Sequence, residues 1–143
     1  MKAAIYPGSF NPFHEGHADI VDKALKVFDK IIVCQMVNPE KEKEIFLGNH
    51  FSNSDNPEMV KFDSERVLFM SHAGLLVDAV SQFQVRAVVR GLRNGYDLQY
   101  EANLQYWNED LGLTVPVIYF LTDRALTHIS STAIRALKKS KKV

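Results

Sequence analysis

The chain reads as an α/β protein, a doubly wound parallel sheet of five strands with helices on both faces. Three observations predict this. Five short runs, KAAIY, KIIVCQMV, RVLFM, RAVVRG and VPVIYF, are apolar nearly throughout instead of alternating with polar residues. That is the pattern of strands covered on both faces. Stretches with helical spacing lie between them, and a strand–helix alternation is how parallel strands are joined. Turn signals at Pro7-Gly8 and Asn38-Pro39 stop the first two runs sharply.

Taken in order, KAAIY is the first strand and ends at Pro7-Gly8. HADIVDKALKVF begins at His17 and sets Ile20, Val21, Ala24, Leu25 and Phe28 on one helical face. KIIVCQMV is rich in β-branched residues, and Cys34 within it reads as a buried strand residue. From Pro39 to Asp63 the chain is polar and punctuated, with a short helix expected after Asn56-Pro57. RVLFM is a strand, LLVDAVSQF a helix and RAVVRG the fourth strand. DLQYEANLQYWNEDL forms a long helix that Asp97 is placed to cap, and VPVIYF is the fifth strand. SSTAIRALKKSKK closes the chain as a helix with a hydroxyl-rich start. No repeat or linker interrupts residues 1–143, so one domain is expected.

The composition narrows the partners. Apolar residues make up 46% and charged residues 24%, which suits a globular core and argues against disorder. Lys+Arg and Asp+Glu both number 17, so no global field recruits nucleic acid or an anionic membrane. Neither is expected as a partner, and any anion must be captured by local arrangement. With one cysteine, no disulfide can form within the chain. No apolar run approaches the roughly 18 residues of a membrane span. A cytoplasmic location is the expectation.

Doubly wound sheets bind ligands beyond the carboxyl ends of their strands, and three motifs fall there. In GSFNPFHEGH, Gly8 lets the backbone turn tightly after the first strand. His17 opens the next helix, where free amides and the dipole favour an anion, and its ring can donate to a phosphate oxygen. His14 and His17 lack further ligands at a recognisable spacing, so no metal site is expected. In VVRGLRNGYDLQYE, Arg90 and Arg93 flank Gly91 at a strand end and suit bidentate phosphate contacts. Glu101 either accepts from a ribose or is an ordinary helix residue. In THISSTAIR, Ser130, Ser131 and Thr132 supply more hydroxyls than one N-cap needs, which fits a helix start that wraps a polyphosphate.

Together HEGH after the first strand and ISSTAIR opening a late helix resemble the nucleotidylyltransferase superfamily. Within it, RGLRNGYDLQYE is similar to the phosphopantetheine adenylyltransferases, over nearly the whole chain from Lys2 to about Arg135. The resemblance implies a Rossmann-like sheet and adenylyl transfer from ATP to 4′-phosphopantetheine, by direct attack without a covalent intermediate. It implies that Ser9, Phe10, His17, Gly91, Leu92, Arg93, Glu101 and the stretch Leu126, Thr127, His128, Ile129, Ser130, Ser131 and Thr132 bind ATP. His17 would be the catalytic residue. Ser9, Lys41, Leu76 and Arg90 would bind the acceptor, with Lys41 and Arg90 on its phosphate. Magnesium (Mg2+) would accompany ATP without a dedicated protein cage, and a homo-oligomer, a hexamer in the family, would form.

The sequence departs from the family's pattern in places. Asn11 stands where aspartate is usual and His14 where a hydroxyl is usual, so FNPFH is closer to the nicotinamide-nucleotide branch. GNHFSNSDNPEMVKFDSER replaces a helix-forming segment near the acceptor side. The chain closes at KKSKKV, short of the family's further C-terminal helix. Nicotinamide or nicotinate mononucleotide therefore stays open as an alternative acceptor, as does a nucleotide-binding module without catalysis.

Overall fold

A computed structural model describes residues 1–37 and 56–140. Strands β1 (Ala3–Gly8), β2 (Lys30–Val37), β3 (Val67–Ala73), β4 (Ala87–Leu92) and β5 (Val117–Leu121) form one sheet. Their order is β3-β2-β1-β4-β5, with every neighbouring pair parallel. The winding reverses between β1 and β4, and a crevice opens there beyond the strand ends. The helices are α1 (Glu15–Ala24), α2 (Pro57–Val60), α3 (Leu76–Phe83), α4 (Gly95–Asp110) and α5 (Ser131–Ser140), with a 3-10 turn at Arg124–Leu126.

The runs are apolar because successive residues feed opposite faces. Ala4, Tyr6, Ile31, Val33 and Val89 pack under Ile20, Val21, Ala24 and Phe28 of the α1 segment. Ile5, Ile32, Cys34 and Val88 pack under Ala79 and Val80 of α3. Cys34 is buried, as its surroundings in the sequence predict.

Several boundaries differ from the expectation, each for a local reason. β1 runs on through Pro7 and Gly8, because both stay paired with Cys34 and Gln35 of β2, while the pairing with β4 involves only Ala4 and Ile5. α1 starts at Glu15 instead of His17, since the extended His14 takes the N-cap position. The cap of α4 is Asn94, whose side chain accepts from the Asp97 N–H at 3.1 Å, so Asp97 sits inside the first turn. β5 begins after Pro116, which has no N–H but whose carbonyl accepts from Val88 at 2.9 Å.

Candidate active site

The two histidines cap one helix together. His14 Nδ1 accepts from the Gly16 N–H and His17 Nδ1 accepts from the His14 N–H, both at 3.1 Å. This is a capping box made by imidazoles in place of the usual hydroxyl and carboxamide. With Nδ1 accepting on both rings, the ring proton of each neutral histidine sits on Nε2. The rings stack with centroids 3.7 Å apart. Phe10 and Phe13 enclose His17 at 4.8 and 5.4 Å. Burial, then His14 and Arg90, push the His17 pKa down to about 3. Burial and then Arg93 lower that of His14. At neutral pH the helix mouth therefore presents uncharged N–H donors.

The loop that carries them is clamped through its carbonyls. Pro7 O accepts from Arg90 Nη1 at 2.6 Å, and Ser9 O accepts from Gln35 Nε2 at 3.0 Å. Asn11 O accepts from Arg135. Pro12 O accepts from Ser131 Oγ and Phe13 O from Asn56 Nδ2, each at 3.0 Å. Donors from β2, β4, α5 and the cap of α2 thus hold one short segment. Gly8 is needed because a Cβ there would stand 2.9 Å from the Phe10 ring. Gly91 is needed because a Cβ would stand 2.8 Å from Ile20, so its absence lets α1 lie close on β4.

Two cavities of about 330 Å³ each open at this edge. The first is lined by the expected Ser9, Phe10, His17, Gly91, Arg93, Glu101, Leu126, Ile129, Ser130 and Ser131. The second is lined by the expected Ser9, Leu76 and Arg90. The two share Pro7, Gly8, Ser9, Arg90 and Glu101. Leu92, Thr127, His128 and Thr132 border neither. Leu92 is buried in the sheet, and the Thr127 hydroxyl donates to Arg124 O at 3.0 Å. His128 and Thr132 are exposed. Lys41 lies outside the described residues.

The hydroxyl run divides its labour. Ser130 Oγ accepts from the Ala133 N–H at 3.1 Å as an ordinary cap, Ser131 clamps the loop, and Thr132 Oγ1 accepts from Arg135 at 3.3 Å. The loop before it is fastened to α1. Lys23 Nζ bridges Asp19 at 3.0 Å and Asp123 at 2.9 Å, and the Asp123 N–H donates to Asp19 at 2.9 Å.

Both arginines meet carboxylates. Arg90 makes a fork to Glu101 at 2.7 and 2.8 Å, and Arg93 Nε reaches Asp97 at 3.2 Å. Sequence reasoning did not assign Tyr6, Asp97, Tyr100 or Thr122 to the first cavity, nor Leu104, Gln105 and Asn108 to the second. For the last three a signal existed: with Glu101 they fall at i, i+3, i+4 and i+7 of α4, one face of the helix.

Neutral donors at a helix mouth, beside two chambers that meet, suit a protein that holds one phosphate against another, and the class so defined is the nucleotidyltransferases. The cytidylyltransferase-like family profile matches residues 5–137. Phosphopantetheine adenylyltransferase of Clostridium novyi (strain NT) is 35% identical over 135 residues, covering 94% of this chain and 82% of that protein. The chain belongs to the cytidylyltransferase-like family and, within it, to the phosphopantetheine adenylyltransferases. Two solved structures from Francisella tularensis share the fold. Pantoate-beta-alanine ligase, complexed with beta-gamma ATP and beta-alanine, has a TM-score of 0.55 at 14% identity, over 99% of this chain and 70% of that one. A bifunctional NMN adenylyltransferase/ADP ribose pyrophosphatase has a TM-score of 0.53 at 17% identity, over 95% of this chain and 41% of that one.

Proposed function

We propose that this protein transfers the adenylyl group of ATP to 4′-phosphopantetheine, giving dephospho-coenzyme A and pyrophosphate. The observation that carries the reading is the junction of the two cavities at Ser9 and Arg90, one hydrogen-bonded loop away from the His17 ring. ATP occupies the first cavity, with Arg93, Leu126, Ile129 and Ser130 around it. The acceptor's pantetheine arm lies along Leu76 in the second, and its phosphate meets Arg90. An oxygen of that phosphate attacks the α-phosphorus, the bond from it to the bridging oxygen breaks, and pyrophosphate leaves with the electron pair. The phosphate is already ionised, so no general base is required. His17 Nε2–H and the first-turn amides of α1 stabilise the charge that builds on the α-phosphate oxygens. Holding both substrates in line supplies most of the remainder.

Among the described residues no group of three or more His, Cys, Asp or Glu side chains could hold a metal ion. Magnesium would accompany ATP and supply positive charge that offsets the triphosphate's negative charge, and no residue of this chain is assigned to hold it. A cytoplasmic homo-oligomer completes the proposal, with the hexamer taken from the family resemblance. Its support is the outer face of α4, where Tyr96, Tyr106 and Trp107 are 87%, 61% and 65% exposed. No helix among the described residues is long and apolar enough to cross a membrane.

Pyrophosphate release from ATP, measured with each acceptor in turn, tests the assignment. Release with 4′-phosphopantetheine and none with nicotinamide or nicotinate mononucleotide is the expected result. The reverse pattern moves the protein to the mononucleotide branch, and release with none of them leaves a binding module.

A further inference from the structure

The segment that follows β5 borders the first cavity with Thr122, Leu126, Ile129 and Ser130, and it is fastened at its two ends. Its far end is tied to the loop after β1, where Ser131 Oγ donates to Pro12 O at 3.0 Å and Arg135 donates to Asn11 O. Among the described residues, no hydrogen bond joins residues 124–129 to another element. The near end hangs on α1. Asp19 Oδ2 accepts from the Asp123 N–H at 2.9 Å and from Lys23 Nζ at 3.0 Å. Lys23 Nζ also reaches Asp123 Oδ1 at 2.9 Å and donates to Leu121 O. The three N–H groups of the ammonium thus have three partners, and two of these, Leu121 and Asp123, stand on either side of Thr122. The backbone adds one bond, from the Thr122 N–H to Leu92 O at 2.8 Å.

Asp19 and Lys23 lie one turn apart on α1, the helix that carries His17 in its first turn. The side-chain exposures of Asp19, Lys23 and Asp123 are 13%, 27% and 63%. An ion pair this open adds little to global stability, so what the clasp holds is local. We infer that Asp19 and Lys23 are positioning residues for the nucleotide, registering the segment 122–130 against the mouth of α1. One helix then fixes both the wall beside Leu126 and Ile129 and the phosphate donors at its own start. This rests on the reading that places ATP in the first cavity.

Calorimetric titration of ATP without an acceptor, and steady-state kinetics with 4′-phosphopantetheine, test it on Lys23→Met, Lys23→Arg and Asp19→Ala. In Lys23→Met and Asp19→Ala the Kd for ATP is expected to rise about fivefold or more, while the KM for phosphopantetheine stays within about twofold. The urea midpoint of Lys23→Met is expected to move by less than about 0.5 M. Lys23→Arg keeps the charge and recovers part of the affinity, and Asp19→Ala carries the test if Lys23→Met does not fold. Unchanged ATP affinity in either variant, or a KM for phosphopantetheine that rises as much, overturns the inference. Amide hydrogen exchange at Leu126 and Ile129 in the ligand-free protein is expected to quicken in Lys23→Met. Exchange as slow as in the wild type overturns the clasp whatever the affinity. Wild-type protein that binds no ATP defeats the functional reading instead, and the exchange comparison still decides the role of Lys23.

Discussion

Two arginines three residues apart at the end of β4 each face a carboxylate of α4, and the two pairs are built for different ends. Arg90–Glu101 is a double contact at 2.7 and 2.8 Å, with side-chain exposures of 25% and 9%. Arg93–Asp97 is looser, at 3.2 and 3.5 Å, with exposures of 47% and 24%. Arg90 belongs to the strand and reaches eleven residues along the chain to the second turn of α4, which brings Glu101 under the sheet edge. Arg93 lies past the strand's last residue and finds Asp97 one helical turn on. Desolvation makes the first pair hard to part and solvent makes the second easy to exchange. One fixes a geometry, and the other holds a guanidinium until an anion arrives.

The largest expected effect breaks the buried pair. Arg90→Met leaves the Glu101 carboxylate buried without its partner, a loss of about 3–5 kcal/mol of stability in urea unfolding. Arg93→Met is expected to lose less than about 1 kcal/mol. Adding Glu101→Leu to Arg90→Met removes the orphaned charge and recovers much of the stability, though not the acceptor binding. Equal, small losses in the two single variants would remove the distinction between the pairs.

Next comes His17, which stands against Arg90 and shares its field. Its two ring nitrogens have separate duties in the proposed reaction: Nδ1 closes the helix cap, and Nε2–H is left for the α-phosphate. Glutamine at this position can still reach back to the His14 N–H, so His17→Gln keeps the cap and loses the imidazole donor. His17→Ala loses both. Each is expected to lower kcat about 10²–10³-fold with little change in the KM for ATP. Only His17→Ala is expected to lose about 1 kcal/mol of stability as well. A His17→Gln enzyme with near-normal turnover would assign the catalytic effect to the helix mouth instead of the ring.

Much of this was legible in the sequence, and the limits are physical. The uninterrupted apolar runs foretold a sheet covered on both faces because each strand residue, from Ala4 to Tyr6 and Ile31 to Cys34, serves one core or the other. The motif order placed His17, Arg93 and Ser130 at one edge, since parallel strands bring their carboxyl ends together. What spacing could not reveal was who pairs with whom. Arg90 and Glu101 looked like separate ligand contacts because a separation of eleven residues across a strand end and a helix start carries no contact signal. Gly91 entered the reading as an ATP contact by resemblance, and spacing did not reveal that its missing Cβ also makes room for Ile20. Thr132 extended a hydroxyl run by adjacency, but the first helical turn rotates it away from the cavity. His14 was ambiguous because histidine is an uncommon N-cap, and only the Nδ1 geometry gives its role.

Acidification probes the same edge with a smaller effect. The His17 pKa in the fold is about 3 and its ordinary value is 6.5. Below pH 6.5 the unfolded chain therefore binds a proton that the folded protein refuses. Stability falls as the pH drops from 6.5 towards 3, by up to about 1.4 kcal/mol per pH unit from this group. Asp97 acts in the same sense. Burial alone would raise its pKa, but the Arg93 side chain and backbone N–H hold it low, so its contribution disappears as the carboxylate protonates. His17→Gln is expected to flatten the pH dependence of the urea midpoint between pH 6 and about 4. An unchanged slope would mean that His17 titrates normally and is not enclosed by Phe10 and Phe13.

The smallest expected effect is the most discriminating, because its sign opposes that of the buried pair. In the proposed reaction Arg93 meets the nucleotide, and Asp97 occupies that guanidinium, so on this reading the carboxylate competes with an incoming phosphate. Asn at this position can still accept the Arg93 backbone N–H, which donates to Asp97 at 2.8 Å, so the turn after β4 keeps its shape. Asp97→Asn is expected to lower the KM for ATP by about two- to fivefold at low salt, with less than about 1 kcal/mol lost in unfolding. Breaking the buried pair costs stability, whereas freeing Arg93 from Asp97 tightens ATP binding. If Asp97→Asn weakens ATP binding instead, Asp97 orients Arg93 for the nucleotide and does not compete with it, and the exposed pair fixes a geometry as the buried one does.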